Sequence, residues 1–161
     1  MNLNQINSEN KGKAIWHLRS LLKKADEAYE SALELLNFNY FPKSFKYFNS
    51  SLILLNYSIE LCLKIILLNQ NLRLERKYKT HNLIKLWNCC KSKVKELNEM
   101  KIDKYIIMLN RVNYPNAGIR YPSREKDGQF YIKADIFIEL RKLLNFTLNS
   151  VDPDKEINYL I

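Results

Sequence analysis

Two consecutive stripes of apolar residues, each repeating at gaps of three and four, constrain this chain more than anything else in its sequence. The first is Ile15, Leu18, Leu22, Ala25, Tyr29, Ala32 and Leu36. The second is Phe45, Phe48, Leu52, Leu55, Ile59, Leu63 and Ile66. Such gaps put every member of a stripe on one side of an α-helix, so each stripe predicts a helix with one face to bury. Asn37–Phe41 is the break between them, and Pro42 suits the first turn of the second helix. Two long helices joined so tightly fold back as an antiparallel hairpin. Only 3 Gly and 4 Pro occur in 161 residues, too few turn-formers for a many-stranded sandwich or barrel. The expectation is one all-α domain, of a size that buries a core without disulfides or metal.

The remaining sequence completes a bundle of about five helices, up-and-down in its first half. Leu52–Leu68 is the most apolar run, but Asn56, Glu60 and Lys64 interrupt it. A charge at the centre of a bilayer costs about 2.5–3.5 kcal/mol, so the run reads as the central helix of the core, with no membrane involved. Thr80 is a candidate cap for a third helix, from His81 to about Asn98, with Leu83, Trp87, Cys90, Val94 and Leu97 turned inward. A fourth covers Ile102 to Val112. Asn113–Gly128 holds Pro115, Gly118, Pro122 and Gly128 and reads as a long loop, of the kind that often carries function. Phe130–Ile132 suggests a short extended piece. The last helix spans Ala134 to Asn149, with Phe137, Leu140, Leu144 and Leu148 facing the core, and Asp152 and Pro153 end it. The expected domain is 12–151, between a flexible polar leader at 1–11 and a mobile tail at 152–161.

Cysteines and histidines narrow the chemistry. Cys62, Cys89 and Cys90 are odd in number, two of them adjacent, which is no disulfide framework. With a polar, Asn-rich opening, a reducing cytoplasm is expected. His17 and His81 are the two histidines, and no paired Cys or His spacing suggests a metal site. Three glycines cannot supply a phosphate-binding Gly loop, so no cofactor is expected.

The charge of +9 is unevenly spread. Residues 73–104 carry ten Lys or Arg against four acids, whereas residues 1–60 are near balance at seven against six. A localised basic zone is the footprint expected for a partner that carries phosphates.

Within the second helix, Tyr57, Glu60 and Lys64 form a polar stripe beside the apolar one. The run from Tyr57 through Glu60 and Lys64 to Leu68 resembles the second-helix signature of HEPN domains. Thr80-His81-Asn82-Leu83 followed by Leu86 is similar to the T-H-x-L-x-x-L start of their third helix, and Ile119-Arg120-Tyr121-Pro122 to an L-R-Y-P element before the last helix. The order and spacing agree from about Lys13 to Leu148.

This resemblance implies an all-α bundle, commonly a homodimer, that handles RNA or a nucleotide in a defence or toxin–antitoxin setting. The binding residues it implies are Tyr57, Glu60, Lys64, His81, Arg111, Arg120 and Tyr121. Arg76-Lys-Tyr-Lys-Thr-His81 also fits the R-x4-6-H motif of the family's metal-independent endoribonucleases. There His81 would move a proton and Arg76 would hold the phosphate. Two alternatives remain. His81 and Thr80 would cap the third helix, with the arginines pairing to Glu60 as loop anchors; or the chain is a dimeric interaction module partnering a nucleotidyltransferase.

Overall fold

The computed structural model describes residues 3–35, 43–71, 80–111 and 135–151. They form five α-helices: α1 (Leu3–Leu35), α2 (Lys43–Asn71), α3 (Leu83–Lys93), α4 (Asp103–Asn110) and α5 (Asp135–Val151), with a 3-10 turn at Lys95–Glu99 between α3 and α4. The all-α bundle is as expected. α1 begins inside the segment expected to be a leader. No proline precedes Pro42 to stop it, and the lone Gly12 is a penalty of about 1 kcal/mol, not a break.

α2 is the hub and packs against each of the other four helices. Its Ser50–Gln70 stretch is long and apolar enough to cross a membrane, yet most of it is buried inside the bundle. The described members of the two predicted stripes supply the core: Leu18, Leu22, Ala25, Tyr29 and Ala32 from α1 meet Leu52, Leu55, Ile59, Leu63 and Ile66 from α2, while the side chains of Ile15, Leu36, Phe45 and Phe48 lie outside the described residues. Ser58 donates to the carbonyl of Ala25 at 2.7 Å, which ties the hairpin at its middle.

α5 closes over both. The Tyr29 hydroxyl donates to the Phe137 carbonyl at 2.8 Å, and the two rings meet edge to face. Arg141 lies over the Tyr29 ring and pairs with Asp26 and Glu30. Asn69 donates to the carbonyl of Ser150.

The third helix differs from its expected span. Asn82, not Thr80, is the cap: its side chain accepts from Lys85 N at 2.9 Å, while Thr80 accepts from Asn82 N two residues earlier. The helix therefore begins at Leu83. It ends at Lys93 because Val94 takes an extended backbone. Leu97, expected on the same helix, reaches the core from the 3-10 turn instead. α4 ends at Asn110 and α5 runs on to Val151, so both differ from expectation by a residue or two. The loop at 113–128, the extended piece at 130–132 and the tail at 152–161 lie outside the described residues.

The three thiols make the packing testable. Burial pushes Cys62 up to about 12 and pushes Cys90 up as well, and Cys90 also donates to the Leu63 carbonyl. Cys89 is only half-buried. Reactivity follows the accessible thiolate. Iodoacetamide at pH 8 should therefore modify Cys89 first and the other two only in urea, as read by mass spectrometry. Modification of all three at one rate under native conditions would contradict this core.

Candidate functional site

The site forms where the middle of α2 meets the first residues of α3 and the last of α4. Glu60 sits on α2 at only 6 % exposure. A buried carboxylate must be paired to be tolerated, and here it takes two partners. Lys64, one turn along α2, donates from Nζ to Oε1 at 2.7 Å. His81, ahead of α3, places Nδ1 at 3.0 and 3.1 Å from Oε1 and Oε2. The geometry is thus a carboxylate shared between an ammonium and an imidazole.

The shared carboxylate orients the histidine. A carboxylate only accepts, so Nδ1 is the nitrogen that carries the proton in this contact. In the neutral ring, Nε2 is then the basic nitrogen. The His81 side chain is 80 % exposed although its anchor is buried. Lys64 is 18 % exposed and is used to balance Glu60 rather than to meet solvent.

Two asparagines hold this corner together. Asn56 donates from its side chain to the Leu109 carbonyl at 2.6 Å, which ties α2 to the end of α4. Asn110 accepts from Leu83 N at 2.7 Å, which ties the end of α4 to the start of α3. Both are buried. Each satisfies a backbone group at a helix terminus, where partners are otherwise lacking. Together they bring exposed Arg111, next after Asn110, to the same end of the bundle as His81. Tyr57, next after Asn56 on α2, is 44 % exposed.

Of the residues expected at the site, Glu60, Lys64 and His81 are in contact, Tyr57 lies one turn before Glu60 on the same side of α2, and Arg111 follows Asn110 at the end of α4. Arg76, Arg120 and Tyr121 lie outside the described residues. Among the described residues, Glu60 is paired by Lys64 and His81, not by an arginine as the loop-anchor alternative supposed. Asn56 and Asn110 were missed as site residues. Asn56 shows in the sequence only as a polar break in an apolar run, and Asn110 only as a polar residue closing the apolar fourth helix.

Chemically, this corner offers an oriented imidazole, a guanidinium and a phenol around a buried charge pair. Imidazole and guanidinium suit phosphate oxygens, and the phenol ring suits a base. No curated protein and no solved structure matches the chain. A family model described as HEPN domain matches residues 18–147, which takes in α2, α3, α4, most of α5 and the whole of this corner. By that match the chain belongs to the HEPN domain family.

Proposed function

We propose that this HEPN domain binds RNA or a nucleotide at the corner formed by Tyr57, Glu60, Lys64, His81 and Arg111. The resemblance adds Arg120 and Tyr121, which lie outside the described residues. The observation that carries the reading is the buried Glu60 carboxylate holding an otherwise exposed His81. A side chain kept so exposed by so buried an anchor is arranged to meet something in solution. The basic zone around α3 supports an anionic ligand. The setting we propose is a cytoplasmic defence or toxin–antitoxin system, with the domain as a homodimer.

A second reading has one observation in its favour. His81 is oriented through Nδ1 by a carboxylate, which is how a general base or acid is held for proton transfer. With Arg76 holding phosphate, the domain would be a metal-independent endoribonuclease.

One experiment separates the readings. Purified protein is incubated with a mixed RNA pool in EDTA, wild type beside His81→Ala. Binding predicts intact RNA retained on a native gel, with retention falling steeply as salt rises and weakened in the variant. Cleavage by the wild type alone would replace the first reading with the second. Neither retention nor cleavage, by RNA or by labelled nucleotide, would overturn both and leave an interaction module for a nucleotidyltransferase.

A further inference from the structure

The outer face of α3 continues away from the corner, and its composition is one-sided. Residues 80–95 contain Lys85, Lys91, Lys93 and Lys95 and not one Asp or Glu. At 3.6 residues per turn, Lys85, Cys89, Ser92 and Lys93 fall in one sector of about 100°. Lys85, Ser92 and Lys93 are exposed, as is Lys95 just beyond the helix end. The opposite side of the helix, Leu83, Leu86, Trp87 and Cys90, is buried in the core. Lys91 is turned aside to Asp103 on α4. Lys85 stands in the first turn of α3, four residues after His81, so the basic face starts near the corner and leads away from it.

Its length separates two kinds of ligand. An 11-residue helix at 1.5 Å per residue is about 16 Å long. A mononucleotide at His81 could not reach Lys93. A strand at about 3.4 Å per stacked nucleotide would cover the face with about five residues. Unpaired bases fit an exposed tyrosine at the corner, whereas a paired helix offers no free base to stack on it.

Resting on the proposed function, we propose that the ligand is a single strand of RNA several nucleotides long. One nucleotide meets Tyr57 and His81, and the phosphates that follow run along α3 over Lys85 and Lys93, across Cys89.

The test compares two probes, a fluorescent single-stranded RNA octamer and fluorescent AMP, by anisotropy, with wild type, Lys85→Gln/Lys93→Gln and His81→Ala. Glutamine keeps helix propensity, and circular dichroism checks the fold. The octamer should bind wild type at least tenfold more tightly than AMP. The double variant should lose about tenfold for the octamer and nothing for AMP. Its salt slope should fall by about 1.4, two contacts at about 0.7 each for a single strand. His81→Ala should weaken both probes. In a second readout, the octamer but not AMP should slow iodoacetamide modification of Cys89. If AMP binds as well as the octamer, or the double variant binds the octamer like wild type, the α3 path is wrong and the corner site stands. If neither probe binds, the path and the proposed function fail together.

Discussion

Glu60→Leu is expected to lower stability by about 3 kcal/mol, and Glu60→Leu/Lys64→Met to regain most of that loss. Removing one partner of a buried ion pair strands the other charge, at a cost of about 3–5 kcal/mol. Lys64 keeps some exposure, which places the single variant at the lower end. The double variant leaves no stranded ammonium, and replacing both members of such a pair by apolar side chains is close to neutral. Urea denaturation read by circular dichroism gives both values. Binding should behave differently. His81 loses its anchor in either protein, so RNA retention should fall about tenfold or more in both. Stability then recovers while binding does not. A double variant that retained RNA like wild type would reduce Glu60 to a packing role. A single variant as stable as the double would show that Lys64 reaches water without its partner.

That separation bears on what the sequence could disclose. The apolar stripes of α1 and α2 were legible because helical burial repeats every 3.6 residues, and their members from Leu18 to Ala32 and from Leu52 to Ile66 line the core. The polar stripe of Glu60 and Lys64 was legible for the converse reason, as charges inside an apolar run. The pairing of Glu60 with His81 spans 21 residues and two elements, and no local spacing encodes it. Only the family resemblance placed the two together. The tethers from Asn56 and Asn110 were illegible for another reason. Each joins a side chain to a backbone group elsewhere, and a backbone group has no residue type to read. Helix ends failed similarly. Thr80 and Asn82 are both cap-forming types two positions apart, and the choice depends on tertiary contacts. Asn110 takes the Leu83 amide, which fixes where α3 can begin. Val94 does the same at the other end by turning extended to cap on Cys90.

Trp87→Ala is expected to cost about 3–5 kcal/mol, the usual range for truncating a buried tryptophan. Trp87 is 2 % exposed and belongs to the core cluster. It also does more than fill volume. Its Nε1 donates to Asp103 Oδ1 at 2.9 Å, and Lys91 reaches the same oxygen while lying over the indole ring. The Lys91 and Trp87 hydrogen bonds together hold the Asp103 carboxyl below its ordinary range. A carboxyl lowered in this way stabilises the fold at neutral pH, and that contribution fades as pH falls through the folded value. Trp87→Phe keeps much of the ring but not the N–H, so a smaller loss of about 1–2 kcal/mol is expected. The gap between Trp87→Phe and wild type should narrow on acidification, because a protonated Asp103 is a weaker acceptor. Thermal unfolding of the alanine variant should come about 10 °C lower. A shift within about 2 °C would mean that α3 and α4 are not joined through this ring. The consequence for the site follows from where Trp87 sits. It clamps α3 to α4, and these helices bring the Leu83–Asn110 tether and Arg111 to the corner, while Glu60 and Lys64 belong to α2. Loosening the clamp should therefore weaken RNA retention at temperatures where far-ultraviolet circular dichroism still shows folded helix. Loss of both signals in one transition would instead make the corner part of a single cooperative unit with the α1–α2 hairpin.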